Sequence, residues 1–332
     1  MTRLIVTTGS FTAGALQQAG LADLVIAIER RLVWGQLPSA AELDACFAPR
    51  TAQPYGLHWL DETPPWRLDA SDATGRGLIE LLAEYDSVEF WRGPEPNAQL
   101  IALWLLDHWC RRRNANSDIV VRCLPPAAGD ADLSRPWELN PPVVEIMPHA
   151  LEVASHAWQA YCAPTPEGWC DLFKTKLSWL PQLAPDAEIL LEELPRPASG
   201  LGATETRILQ LIAAGGVQPF DVFPGDGKRN GRGVYGYWEV GALLDGLVRC
   251  GRPAVSGLDE GPFSLDLHND SGRLDRYKGS RLSLTEFGKA VLAGDENFLC
   301  HNSIDRWWGG THLTNQRLWQ WDPETRSLIA PA

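Results

Sequence analysis

Two short stretches set hydroxyls, backbone amides and charged side chains where a strand ends and a helix begins. The first is "TTGSFTAG", residues 7–14. Gly9 permits a tight turn there, and Ser10 or Thr12 can accept a hydrogen bond from the helix start. Unpaired N–H groups at such a start, with the helix dipole, favour an anion. Neither GxGxxG nor GxxxxGK[ST] is present, so neither the dinucleotide nor the P-loop fingerprint applies. The competing reading is an ordinary strand-to-helix turn with a capping serine. The second stretch is "WRGPEPNAQ", residues 91–99. Trp91 offers a stacking face, Arg92 a cation, and Glu95, Asn97 and Gln99 polar contacts. Here the plainer reading is that Asn97 caps the following helix while Pro94 and Pro96 stiffen its entry. Both stretches follow strands, and in open parallel sheets ligands bind where such strand ends meet. They line one crevice only if their strands are neighbours, which the sequence leaves open.

Three further groups carry charge or aromatic surface. Asp305, Arg306, Trp307 and His312, beside Gly309 and Gly310, read as a rigid polar corner with an Asp–Arg pair in a Trp-lined core, or as an interaction surface, since Trp and Arg dominate binding hot spots. Arg273, Arg276, Lys278 and Arg281 in "SGRLDRYKGSR", with Lys228, Arg229 and Arg232, form two basic patches suited to nucleic-acid phosphates. The helix that would enter the groove, "YWEVGALLDGLVRC", has no Asn/Gln/Arg set for base edges. His149, Glu152 and His156 share a helical face, but no HExxH or ExxH supplies further ligands, so a partly buried polar stripe is expected and no metal or cofactor. No GxSxG elbow marks a nucleophile.

Strands and helices alternate through residues 1–125. "RLIVTT" (3–8), "DLVIAI" (23–28), "SVEFW" (87–91) and "DIVVRCL" (118–124) read as strands. Helices are expected over 11–19, closed by Gly20, over 39–48 with Ser39 as N-cap, over 73–85, and over 97–113 with Leu100, Trp104, Leu105 and His108 on one stripe. Residues 49–71 read as irregular. That order implies a largely parallel sheet with helices on its faces. Residues 126–200 form a Pro-rich link and a helical segment. From 201 the grammar changes: a helix from 204 capped by Thr204, a helix over 237–251, then "FSLDLH", a turn at "NDSG", a second strand and "LTEFGKAVLAG" as strand, turn, strand, helix. "LWQWDPETRSLI" closes the chain as a hairpin turning at "DPET".

The chain has 332 residues, enough for two domains, with 45% hydrophobic and 21% charged residues, a soluble composition. No apolar run reaches the roughly 20 residues of a membrane helix. Residues 1–200 carry 15 Lys/Arg against 26 Asp/Glu, and residues 201–332 carry 14 against 16. The acidic first part argues against wrapping nucleic acid there. Seven Cys without a CxxC pair predict reduced thiols and a cytoplasmic setting.

The order of the phrases "GALQQAGLADLVI", "VEFWRGPEPNAQLIALWLLDH", "LLEELPRPASGLGATETRILQLI", "LSLTEFGKAVLAG" and "IDRWWGGTHL" resembles a bacterial family designated domain of unknown function 1835. "LTEFGKAVL" is also similar to the "LTxxGxxxL" of many winged-helix regulators. The resemblance covers most of the chain and implies an architecture, without a reaction. Members tend to carry Asn-Gly-Asp after the first strand, where this chain has Thr8-Gly9-Ser10, and many have an Asp after the second, where it has Glu29-Arg30-Arg31.

The expectation is therefore an α/β protein: a Rossmann-like parallel-sheet domain (1–125), a linking helical segment (126–200) and a winged-helix-like α+β module with a Trp-rich hairpin (201–332). Its expected function is ligand binding or regulation, with a small anionic, nucleotide-like ligand in the N-terminal crevice and protein contacts through the C-terminal module. The alternatives are a DNA-binding regulator and an enzyme of unassigned chemistry.

Overall fold

A computed structural model of the chain describes residues 2–50, 58–62, 75–112, 119–124, 135–139, 141–173, 183–224 and 233–331. Two compact units emerge. The first comprises Met1–Leu32, Leu37–Cys162 and Thr175–Ala184, and the second Val33–Gln36, Ala163–Lys174 and Pro185–Ala332. The basic loop with Lys228, Arg229 and Arg232 lies outside the described residues. Among the described residues no helix is long and apolar enough to cross a membrane.

Unit 1 opens with β1 (Arg3–Thr7), α1 (Ser10–Gln18), β2 (Leu24–Ala27), α2 (Ala40–Phe47), α3 (Trp59–Glu62), α4 (Leu78–Leu82), β3 (Ser87–Arg92), α5 (Pro96–Arg112) and β4 (Ile119–Cys123). It continues with β5 (Val143–Glu145) and α6 (Pro148–Cys162). The sheet order is β2-β1-β3-β4-β5, with β5 antiparallel to β4 and the other pairs parallel. Two elements correct the sequence reading: α3 interrupts the stretch expected to be irregular, and the exposed β5 sits in the expected link. Val143–Glu145 is too short and too open to show strand alternation.

Strand alternation sorts the core. Ile5, Val25, Ala27 and Trp91 share one face and pack with Ala13 and Leu16 of α1. Leu4, Val6, Ile26 and Phe90 take the other. The helix α5 is not amphipathic as expected. Every side chain from Pro96 to Trp109 is buried, the condition of a helix enclosed on all sides. Trp104 stacks on Phe47 of α2, with ring centroids 4.3 Å apart, and lies beside Trp158 of α6. Asp107, buried in that helix, accepts from Ser155 Oγ (2.7 Å) and Arg111 Nε (3.0 Å). Caps conform to the reading: Ser39 and Glu42 form a reciprocal capping box, and Gly20 follows α1 with φ +64°.

Unit 2 holds α7 (Glu167–Phe173), α8 (Leu183–Leu191, its first two residues in unit 1), α9 (Ala203–Ala213), α10 (Tyr237–Val248) and β6 (Val255–Ser256). Then come α11 (Leu265–Asn269), α12 (Ser271–Gly279), β7 (Ser283–Leu284), α13 (Glu286–Ala293) and two hairpins, β8–β9 (Asp305–Trp308 with Thr311–Thr314) and β10–β11 (Gln320–Asp322 with Ser327–Ile329). The last of these turns at "DPET" as expected. In the strand-turn-strand reading of 263–284 the first strand and the turn are overturned, because helices occupy Leu265–Asn269 and Ser271–Gly279, while the second strand stands as β7, paired with β6 and not with "FSLDLH". Phe263 and Leu267 are buried and Leu265 is 61% exposed, a helical period that mimics alternation over six residues. Ser264 and Asp270 cap the two helices by accepting the N–H groups of Leu267 and Arg273. Thr204 also does something other than cap. Gly202 starts α9, its N–H held by Glu205, while Thr204 donates its N–H and hydroxyl to Glu193. The "LTEFG" phrase has a packing cause: a side chain at Gly288 would enter the carbonyl of Ala254, and Thr285 Oγ1 accepts the Gly288 N–H.

Candidate ligand site at the strand-order reversal

The chain passes from β1 to β2 on one side and then to β3 on the other, so the strand order reverses between β1 and β3. In open α/β sheets the crevice outside such a reversal, at the strands' C-terminal ends, is where ligands bind. The loops leaving β1 and β3 are the two singled out from the sequence, and the N–H of Gly93 donates to Thr8 Oγ1 (3.2 Å) and joins them. They are thus neighbours.

The expected residues divide sharply here. Gly9 has φ −148° and is the N-cap of α1, so its conformation is open to any residue, and a Cβ there would meet nothing nearer than Thr12 Oγ1 at 3.9 Å. The tight turn ascribed to Gly9 is absent. Ser10 is the first helical residue, and neither it nor Thr12 caps the helix. Instead the Ser10 N–H donates to the carboxylate of Glu29, which follows β2. The helix start that could hold an anion therefore already holds one of the protein's own. Glu29 was missed as a site residue, although its place just after the second strand was readable.

In the second loop, Glu95 is exposed and its carbonyl receives the N–H groups of Ala98 and Gln99. Asn97 does not cap α5. Its Nδ2 donates to the Arg30 carbonyl (2.6 Å) and its Oδ1 accepts from the Leu32 N–H (2.8 Å), which fixes the segment after β2 beside the crevice. Trp91 and Gln99 are buried, and the Trp91 indole donates to Glu89 Oε2, so Trp91 is core and offers no stacking face. Arg92 is also buried, with Nη1 on the Gly93 carbonyl (3.1 Å). The structure therefore gathers Thr8, Gly9, Ser10 and Glu29 with Gly93, Glu95 and Asn97.

Glu89, elsewhere in the unit, is engaged. Glu89 receives Arg122, Arg3 and Trp91; burial pushes its carboxyl up, but those hydrogen bonds outweigh it and hold it below the ordinary value. Burial foremost, then the Arg112 charge, lowers His108 to about 4, with Asp44 opposing in part. His108 and Arg112 border a cavity of about 260 Å³, some 16 Å along α5 from Asn97 at 1.5 Å per residue. Ser155 donates to Asp107 and not to a histidine, so it is not a triad nucleophile. His149, Glu152 and His156 are exposed and not half-buried.

In unit 2 the expected Asp–Arg pair does not exist. Arg306 donates to Glu205 (3.0 Å) and to the Glu193 carbonyl (3.2 Å), facing inward. Asp305 faces outward and binds His312 Nε2 (2.7 Å), whose ring stacks on Trp307 with centroids 4.5 Å apart. The Trp-lined core is real, with Trp308, Trp319 and Trp321 buried. The presumed wing is α12. Its Arg273 and Arg276 both hold Glu260, which lowers that carboxyl to about 2, Lys278 lies over the Phe220 ring and Arg281 is exposed.

No family model matches the chain. Over 131 residues it is 31% identical to anthocyanidin 3-O-glucosyltransferase 7 of Manihot esculenta, an overlap covering 34% of this chain and 43% of that protein. The chain thus spans less than half the length of this relative.

Proposed function

We propose that the protein is a ligand-binding or regulatory protein that takes a small nucleotide-like molecule across the reversal between β1 and β3. The observation that carries this reading is the Gly93–Thr8 bond, which makes one crevice edge of two strand-end loops. Glu29 adds to it. It stands twenty residues after Gly9 and two residues beyond the end of β2, where dinucleotide-binding folds keep the acid that holds ribose hydroxyls. A ligand phosphate would take the Ser10 N–H and Glu29 would turn to the ribose. The seven free thiols go with a cytoplasmic setting. In unit 2, helices α9, α10 and α13 around the short β6–β7 ladder support a winged-helix-like module in which two helices stand in the wing's place. Arg273 and Arg276 are engaged by Glu260, which favours protein contacts over DNA. Membership of the domain of unknown function 1835 family rests on the quoted phrases, and the ligand reading does not depend on it. The partial likeness to a glucosyltransferase raises glucosyl transfer as a rival, but of the crevice acids Glu29 is engaged and Glu95 is exposed, which favours binding over catalysis.

The test is native mass spectrometry with AMP, ADP, ATP, UDP-glucose and glucose 6-phosphate, on the wild type and on Ser10→Pro. Proline is accommodated at a first helical position and lacks the N–H in question. The expected result is a stoichiometric nucleotide adduct that Ser10→Pro weakens at least about tenfold. A wild type that stays bare across the panel overturns the proposal.

A further inference from the structure

The segment "RPASGLG", residues 196–202, joins α8 to α9 and forms one wall of a groove of about 420 Å³ within unit 2. The turn at Asp322, Pro323 and Glu324 also lines it, and its accessible apolar lining includes Leu292 and Ile329, the latter 39% exposed, above the buried Leu201, Leu209 and Val291. The volume lies in the range of small-molecule pockets, about 300–1,000 Å³. The wall is held on both sides. The N–H of Trp321 donates to the Pro195 carbonyl, that of Phe298 to the Ser199 carbonyl, and Asn297 Nδ2 to the Pro197 carbonyl. Such a segment needs no ordering when something binds.

The charges in this groove are the informative part. The Arg196 guanidinium makes no hydrogen bond or ion pair among the described residues, and its Nε is shut off from water without a partner. A shielded donor left unpaired is an unusual expense for a folded chain. Asp322, also in the lining, is used up by its own turn, receiving the Glu324 N–H (3.0 Å) and the Thr325 hydroxyl (2.7 Å). Among the described residues the Glu324 carboxylate has no such partner, and it does not pair with Arg196 although both line the same groove. Two opposite charges left unpaired in one groove that also has apolar side chains suit a ligand that bears both signs and an apolar body. We infer that this groove binds a small zwitterion, an apolar α-amino acid, with its carboxylate on Arg196, its ammonium toward Glu324 and its side chain against Leu292 and Ile329. The site is separate from the crevice of unit 1 and does not rest on the nucleotide reading.

Isothermal titration of the full chain with L-leucine, L-phenylalanine, leucinamide and N-acetyl-leucine tests the inference. Leucine and phenylalanine are expected to bind, and each blocked form to bind at least about tenfold more weakly, because it leaves one charge unanswered. Arg196→Gln should bring leucine down to the level of leucinamide, and Glu324→Gln should erase the difference between leucine and N-acetyl-leucine. Both side chains lie at the groove surface, and an unchanged thermal melt confirms that each variant is folded. No heat from either amino acid up to about 10 mM, or either blocked form binding as well as leucine, overturns the inference.

Discussion

The carboxylate of Glu29 accepts the backbone N–H of Ser10, so a residue following β2 closes the helix start that follows β1. A negative charge at that point is worth about 0.3–1 kcal/mol. Glu29→Ala is expected to lower stability by about that much and to uncover the amide. Inorganic phosphate should then stabilise the variant more than the wild type, measured as the shift in urea midpoint with and without phosphate. A variant that loses no stability and gains no phosphate response would remove Glu29 from the helix start.

Acid should unfold unit 1 in two overlapping stages. His108 is buried in its neutral form with a folded pKa of about 4, below the ordinary 6.5. Its contribution is complete above 6.5 and is lost as pH falls from there toward 4. Glu89 is held below its ordinary 4.5 by Arg122, Arg3 and Trp91 against the cost of burial. Its contribution is present above the unfolded value of about 4.3 and is lost as pH falls through the lowered folded one. Urea midpoints taken between pH 7 and 3 should fall in both windows. His108→Gln should flatten the upper one, at a constant loss from its contact with the Phe47 ring, and Glu89→Gln the lower one. The second exchange leaves two half-buried arginines short of a charge and should cost about 2–3 kcal/mol at pH 7.

The sheet was legible because its strands are continuous apolar runs, and so were the two crevice loops, because each follows such a run. Sequence spacing does not state strand order, so the adjacency of Thr8 and Gly93 had to come from the structure. Trp91 was read as a ligand platform because its type suits stacking; its place in the alternation of β3, on the face of Ile5, could have marked it as core. Asn97 and Thr204 were read as caps because both types cap helices, yet their partners, at Arg30 and Leu32 and at Glu193, are remote or on another element. "FSLDLH" failed for a different reason: six residues carry both periods at once, and burial of Phe263 with Leu267 decides for the helix.

Glu260 controls the basic character of α12. It receives Arg273 (3.0 Å) and Arg276 (2.9 Å), so two of the four candidate phosphate contacts are engaged within the protein and share one negative charge. Wild-type protein is expected to show no salt-dependent affinity for a DNA duplex, measured by fluorescence anisotropy between 50 and 200 mM salt at the concentrations where non-specific binders respond, about 1–100 µM. Glu260→Gln should release both arginines and create weak binding that falls steeply with salt. Wild-type binding that depends on Arg273 and Arg276 would reinstate the DNA-binding alternative.

Asp305 and Arg306 are adjacent in sequence and opposite in consequence. The Asp305 carboxylate is 83% exposed and among the described residues meets only His312, an arrangement worth little in water. Arg306 faces inward. Burial works against its charge, but Glu205, with Tyr235 and Glu193, outweighs that and raises its pKa. Replacing it strands the Glu205 carboxylate, which also holds the N–H of Gly202 at the start of α9. Arg306→Met is therefore expected to cost about 3 kcal/mol, and Asp305→Asn less than about 0.5 kcal/mol. Urea unfolding of the two variants side by side checks this. Equal losses would mean that the corner is held by its surface, with Asp305 and His312 as its anchors, and not by the Arg306–Glu205 pair beneath it.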